Sequence, residues 1–318
     1  MRLLARGLVV LVLALAAVIA LGETLLAVSG PLPMRGTMVD IGGRRLHLIC
    51  EGPRGPAPTV LFEPGAFGFS ADFAVVQDKV AAQGQHTCAY DRAGMGLSDP
   101  GPAPRDSAAI VADLEKLLAA AHEDGPFILV GHSMAGLHLR LFATRNPGKV
   151  AGLVLVDATT PEATDLPQVR QFVGAFTRAS QLASLGAKTG LYAPLSYTWF
   201  GDKIGLTPVA SKEKRRAFAS PRHNKWAADE VSQWLPSAEE AKAGGKLDPD
   251  WPVAVVTAGA SHGRLGWKSL QATPARECRH GYFENVEDAG HATLLGVKHA
   301  DAIVRGIDHV LAAWKTRG

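Results

Sequence analysis

Phe127-Ile128-Leu129-Val130-Gly131-His132-Ser133-Met134-Ala135-Gly136 joins a continuous apolar run to a serine set among small residues. Phe127 to Val130 is uninterrupted by polar side chains, as expected of a strand covered on both faces in a parallel sheet. Met134 to Thr144 reads as the crossover helix that follows. A serine on a tight strand-to-helix turn is presented at the carboxyl edge of the sheet, and its neighbours must be small so that strand and helix can approach. Ala135 stands where G-x-S-x-G has its second glycine, and Gly136 follows at once.

On both sides of this stretch, strands alternate with helices. Val39 to Ile41 and Arg44 to Cys50 flank Gly42-Gly43 and predict a hairpin with a two-residue turn. Thr59 to Glu63, Gln85 to Asp91, Leu153 to Val156, Val253 to Thr257 and Tyr282 to Val286 read as further strands. Ser107 to His122 carries Ile110, Val111, Leu114, Leu117 and Leu118 at helical spacing, with Asp106 or Ser107 as N-cap, and Asp301 to Trp314 reads as a closing helix. Between about Pro161 and Asp250 the strand pattern stops and an aromatic-rich helical insertion takes its place.

Composition limits the function. Among 318 residues, 33 Lys+Arg face 30 Asp+Glu, a formal charge of +3 that gives little of the field a nucleic-acid binder needs. With 47% apolar and 20% charged residues, the chain can bury a sizeable core. Three cysteines exclude a disulfide-dense scaffold, and no C-x-x-C, H-E-x-x-H or EF-hand spacing argues for a metal.

The first 30 residues are a membrane anchor or a signal peptide. Arg2 and Arg6 precede an uncharged run from Gly7 to Gly22, and apolar residues resume at Leu25 after Glu23 and Thr24. Gly7 to Gly22 reaches about 24 Å as a helix, short of the ~30 Å hydrocarbon core, whereas Gly7 to Val28 reaches about 33 Å. Ala20-Leu21-Gly22 offers the small residues of a cleavage site. Either reading sends the rest of the chain across the membrane, because the two arginines hold the N-terminus on the cytoplasmic side. The body is then membrane-anchored through residues 7–28 or secreted, and faces an oxidising compartment. There Cys50 and Cys88 are either a disulfide or a reduced buried pair, with Cys278 free.

A nucleophilic serine needs a positioned base. His291, in Asp288-Ala289-Gly290-His291-Ala292, follows the last strand and so reaches the same sheet edge as Ser133. Among the eleven histidines the others sit less well: His122 ends a helix, His138 lies inside one, and His132 points away beside the serine.

These features, with Tyr90-Asp91-Arg92-Ala93-Gly94-Met95-Gly96-Leu97-Ser98-Asp99, make the chain from about Met38 to Trp314 resemble the α/β-hydrolase family. The resemblance implies a mostly parallel eight-stranded sheet with helices on both faces. It also implies a core over residues 31–160 and 250–318, with a helical cap over 161–249 inserted after the sixth strand. The Asp91-Arg92 loop is then expected to fold near the site without doing chemistry. The family's oxyanion hole implies the backbone amides of Met134 and Ala66, with Phe67 in reserve. The acid usual after the seventh strand is missing from Thr257-Ala258-Gly259-Ala260-Ser261-His262-Gly263, so Asp157, closing Val154-Leu155-Val156, is the candidate and Glu162 the fallback. Phe67, His132 and Trp199 are candidate substrate contacts. The cap aromatics Tyr192, Tyr197, Trp199, Phe200, Trp226 and Trp234 either line a pocket or form the cap's own core, and Lys212-Glu213-Lys214-Arg215-Arg216 reads as a solvated helix face.

The resemblance implies a serine hydrolase of the carboxylesterase or lipase type, acting without a cofactor on small esters with apolar acyl groups. The serine departs from the family's epoxide hydrolases and haloalkane dehalogenases, whose nucleophile is an aspartate. Acyl transfer, proline iminopeptidase or perhydrolase chemistry on the same residues, and a binding protein on a degenerate core, are the alternatives.

Overall fold

A computed structural model describes residues 2–28, 34–259 and 265–316. The N-terminal apolar run is one helix, α1 (Arg2–Val28). The hairpin follows as β1 (Thr37–Asp40) and β2 (Arg45–Glu51). Its turn is closed by the Ile41 amide donating to the Arg44 carbonyl at 2.9 Å, and Asp40 Oδ1 accepts from the amides of Gly42 and Gly43. The chain continues through β3 (Thr59–Glu63), α2 (Ala74–Ala82), β4 (Thr87–Tyr90), α3 (Ser107–Ala120), β5 (Phe127–His132), α4 (Ala135–Arg145) and β6 (Val150–Val156). Five helices are inserted next: α5 (Pro167–Ala187), the short α6 (Tyr192–Leu195), α7 (Pro208–Ala219), α8 (Pro221–Ser232) and α9 (Trp234–Ala243). The alternation then resumes with β7 (Val253–Ala258), α10 (Leu265–Glu277), β8 (Gly281–Val286) and α11 (Ala300–Lys315).

The strands form one eight-stranded sheet in the order β1-β2-β4-β3-β5-β6-β7-β8. From β4 to β8 every neighbouring pair is parallel, and only the hairpin side is antiparallel. Period-two alternation sorts the buried strands between two cores. Val60, Phe62, Ile128, Val130, Val154 and Val156 meet Val76 and Val80 of α2 and Ile303 and Ile307 of α11. Leu61, Phe127, Leu129, Leu153 and Leu155 meet Leu114 and Leu117 of α3 and Leu139 and Phe142 of α4. The mostly parallel sheet with helices on both faces is therefore present.

Two helices lack a periodic signal in the sequence. In α2 the apolar residues fall in two bunches, Ala74 to Val76 and Val80 to Ala82, and α10 carries Pro274 in its interior. The turn after β7, which lacks a carboxylate in the sequence, runs into residues 260–264, outside the described residues.

Cys50 and Cys88, directly opposite each other on β2 and β4, are disulfide-bonded, and Cys278 is a free thiol. The bond ties the antiparallel edge to the parallel core across a sequence separation of 38 residues. Replacing both cysteines by serine is expected to lower unfolding free energy by about 2–4 kcal/mol, measured by urea denaturation of the full chain in detergent. Unchanged stability would show that the pairing contributes nothing to the fold.

Candidate active site

Parallel strands deliver their carboxyl ends to one edge, and the candidate residues converge there. Ser133 follows β5 with φ 57°, and Asp157 follows β6 with φ 41°. Phe67, on the loop after β3, has φ 58°. Among the described residues only four non-glycine positions have positive φ, so three of them lie at this edge. Such backbone costs of order 1–3 kcal/mol per residue and persists only where surrounding contacts fix it. For Ser133, β6 and the turn after it supply the fixing contacts. The Ser133 amide donates to the Val156 carbonyl at 3.1 Å, and the Thr159 amide donates to the Ser133 carbonyl at 2.8 Å.

The close approach explains Ala135. A Cβ at Gly136 would lie 2.5 Å from the Thr159 carbonyl oxygen, so this position demands glycine, whereas Ala135 is accommodated fully buried. The tight contact falls one residue later than G-x-S-x-G suggests. Gly65 meets a similar demand from the opposite side, because a Cβ there would lie 2.8 Å from Ser133 Cβ.

His291 Nε2 is 3.0 Å from Ser133 Oγ, and its Nδ1 is 2.7 Å from Asp157 Oδ2. The Asp157 carboxylate also accepts from Gln271 Nε2 at 3.1 Å, and the same amide nitrogen reaches the Ala158 carbonyl. Burial pushes the Asp157 carboxyl up, but the hydrogen bond and charge of His291, with help from Gln271, hold it below the usual carboxylate range. A carboxylate that stays ionised directs the Nδ1 proton of His291 toward itself, leaving the Nε2 lone pair facing the serine. The His291 side chain is 52% exposed, so a substrate can reach it, while Asp157 is only 13% exposed. Glu162, the fallback acid, pairs with Arg140 at 3.2 Å instead.

The expectation for His132 is overturned. Its ring does not point away but packs against His291, with centroids 4.5 Å apart, and its Nε2–H donates to the His291 carbonyl. Burial, reinforced by the charge of His291, lowers its pKa to about 3. The ring is therefore neutral near pH 7 and does not add a second full charge beside an imidazolium at His291.

Met134 is wholly buried, and Ala66 and Phe67 pack against its cluster. Among the described residues, the amides of Met134, Ala66 and Phe67 have no protein acceptor, as donors kept for a substrate oxygen should not. Phe67 is half-buried, with its ring edge-on to Phe176 of α5.

The loop carrying the Ala66 and Phe67 amides is held by a buried cation whose role no local sequence pattern announces. Arg92 Nη1 donates to Glu63 and to the Pro64 carbonyl, Nη2 donates to the Gly65 carbonyl, and Nε and Nη2 donate to Glu230 of α8. All three charged side chains are 1% exposed or less. Asp91 folds the loop as expected, accepting from the amides of Ser70 and Leu97 and pairing with His47. His223 of α8 pegs the inserted helices to the same region: its Nδ1 accepts from the Gly96 amide and its Nε2–H donates to the Phe67 carbonyl.

Two further expectations change. The basic run on α7 is not a solvated face: Lys214 reaches the Phe67 carbonyl and Asp72, Glu213 pairs with Arg35, and Arg215 donates to the carbonyls of Ser196 and Thr198. Trp199 is 65% exposed, stacked edge-on with Phe200 under the Lys203 ammonium, and none of these contacts joins it to Ser133 or His291. Of the other insertion aromatics, Trp234 packs with Phe172 and Phe176 over Met134, whereas Tyr192 stacks on Phe218.

The alpha/beta hydrolase fold family matches residues 58–296, and the chain belongs to that family. It is similar to an uncharacterised protein of Schizosaccharomyces pombe, 26% identical over 230 residues, covering 70% of this chain and 41% of that protein. An uncharacterised vacuolar membrane protein of Saccharomyces cerevisiae is 35% identical over 133 residues, covering 36% of this chain and 20% of that protein. The chain thus spans less than half the length of either relative. In structure it is similar to the Cif epoxide hydrolase from Acinetobacter nosocomialis, with TM-score 0.69, 16% identity, and coverage of 89% of this chain and 94% of that one. A thermophilic esterase from Thermogutta terrifontis gives TM-score 0.62 at 18% identity, covering 86% and 98%. At these identities the structural likeness is one of fold.

His223 makes the junction acid-sensitive. Burial, together with the charge of Lys214, lowers its pKa to about 3, below the unfolded value of about 6.5. The unfolded chain therefore binds the extra proton first, and stability present above pH ~6.5 is lost as pH falls toward 3, by about 1.4 kcal/mol per unit. Unfolding of the full chain between pH 6 and 4 should show this slope, and His223→Gln should make it shallower by one group's share. Identical slopes would contradict the buried neutral imidazole.

Proposed function

We propose that this chain is a serine hydrolase that cleaves carboxylic esters through an acyl-enzyme. The observation that carries the reading is the continuous line Ser133 Oγ, His291 Nε2, His291 Nδ1, Asp157 Oδ2 at 3.0 and 2.7 Å. Ser133 Oγ attacks the ester carbonyl carbon while His291 Nε2 takes the hydroxyl proton, and Asp157 stabilises the imidazolium. The carbonyl oxygen, now an oxyanion, is held by the amides of Met134 and Ala66, with Phe67 as the alternative donor. Losing one such donor costs on the order of 3 kcal/mol of transition-state stabilisation. Collapse breaks the bond to the alcohol, which leaves with the proton from His291. Water then attacks the acyl-serine by the same route, with His291 again as base, and releases the acid.

A serine at the elbow favours this chemistry over that of the family's aspartate-dependent members. The helices of residues 161–249 act as a cap over the core, and Phe67, Phe176 and Trp234 above Met134 make an apolar wall suited to an apolar acyl group. The reaction as written calls for no cofactor.

The same reading places the catalytic body on the extracytoplasmic side, anchored by α1 or released after cleavage. Leu4–Val28 is long and apolar enough to cross a membrane, and the Cys50–Cys88 bond suits an oxidising compartment.

Labelling of the full chain with a fluorophosphonate tests the chemistry. Wild type should label rapidly, Ser133→Ala and His291→Ala should not, and Asp157→Asn should label up to about 10⁴-fold more slowly. A folded wild-type chain that does not label would contradict the proposal and favour a binding protein on a degenerate core.

A further inference from the structure

The membrane helix does not stand clear of the catalytic body. Ile19, Gly22 and Leu26 are the positions of α1 that lose exposure, a spacing that defines one helical face, whereas Leu4 to Val18 is exposed throughout. That face lies against α6. A Cβ added at Gly22 would sit 2.3 Å from the Pro194 nitrogen, and one added at Gly190 would sit 2.9 Å from the Ile19 side chain. The end of the helix and the chain at Arg35 both reach α7. Arg216 Nη2 reaches the Leu26 carbonyl at 3.5 Å, and Arg35 forms a two-pronged pair with Glu213 at 3.1 and 2.8 Å.

Length makes this contact consequential. From Gly7, the first residue after Arg6, to Val18 a helix rises only about 18 Å, well short of the ~30 Å hydrocarbon core. A helix that crosses must therefore also spend most of residues 19–28 within the bilayer, and Ile19 and Gly22 among them touch Gly190 and Pro194. A membrane-spanning α1 thus draws Gly190 and Pro194 into the leaflet facing the catalytic body. The side chains following α6 suit that depth. Tyr197 is 47%, Trp199 65% and Phe200 49% exposed, with Lys203 Nζ 4.9 and 5.1 Å above the two latter rings. Exposed aromatic rings with a lysine ammonium over them match the headgroup layer, where apolar rings meet charge. Glu23, the one acid of the span, lies beside Gly190 rather than against lipid alone.

We infer that the segment from Leu191 to Lys203 is a second membrane contact, seated in the interfacial layer of a phospholipid bilayer through Tyr197, Trp199 and Phe200. The surface is the one that the substrate-contact expectation for Trp199 leaves without a role. The inference rests on the anchoring part of the proposed function and is independent of the ester chemistry.

The test uses the full chain reconstituted in phosphatidylcholine vesicles whose acyl chains carry bromine near the carbonyl end or near the methyl end. Tryptophan fluorescence is compared between wild type and Trp199→Phe, a change at an exposed position that keeps an aromatic ring. The wild type should co-sediment with the vesicles and be quenched more by the shallow bromines, and Trp199→Phe should lower that shallow quenching about twofold or more while co-sedimenting equally. Co-sedimentation with identical quenching in the two proteins would overturn the second contact and leave the anchor standing. Failure of the wild type to co-sediment would remove the anchor and this inference together, leaving fluorophosphonate labelling unaffected.

Discussion

The buried guanidinium of Arg92 is the constraint on which the rest of the site depends. Taking a cation and two carboxylates out of water is costly unless their hydrogen bonds are met with good geometry. Arginine can meet them because its five donors form a rigid planar fork, and here they go to Glu63, Glu230 and the carbonyls of Pro64 and Gly65. One side chain therefore joins the end of β3, the loop bearing the candidate oxyanion donors and a helix of the insertion. Burial raises the Glu63 carboxyl against the pull of Arg92, while the two acids hold Arg92 firmly charged. A lysine offers a point charge without the fork and cannot fasten all of these groups.

From Arg92 the constraint passes to Ser133 through backbone. Gly65, whose carbonyl Arg92 holds, leaves no room for a Cβ against the serine, and Phe67 two residues on, in positive φ, is held by its carbonyl, which accepts from Lys214 and His223. On the other side, β6 grips the elbow and supplies Asp157 in one stroke. The serine is thus fixed between two loops, and His291 alone of the three side chains stands open to solvent.

The sheet and the meeting of Ser133, His291 and Asp157 were legible because each carries a local signal: apolar runs of strand length, small residues around a serine, and an acid closing an apolar strand. Glu63 closes β3 in the same way, but its meaning depends on Arg92, 29 positions away, and on Glu230 in a helix whose docking no local pattern specifies. His223 and Lys214 share that difficulty, since a polar residue on a cap helix looks solvated until its tertiary partner is known. The orientation of His132 is a rotamer chosen by packing on His291. Helices α2 and α10 carry no helical period in the sequence, because one has its apolar residues in two bunches and the other contains a proline. Trp199 shows the converse: an aromatic on the inserted segment need not face the site, and this one is exposed against Phe200 and Lys203.

The central claim is that Ser133 becomes covalently acylated during turnover. Rapid mixing of the full chain with p-nitrophenyl butanoate, acid quenching and mass spectrometry of the digested protein tests it directly. The account predicts a butanoyl adduct on the peptide carrying Ser133 that forms with release of nitrophenolate and disappears once the ester is consumed. Ester turnover that proceeds undiminished in Ser133→Ala, with no adduct on the wild-type peptide, would contradict it.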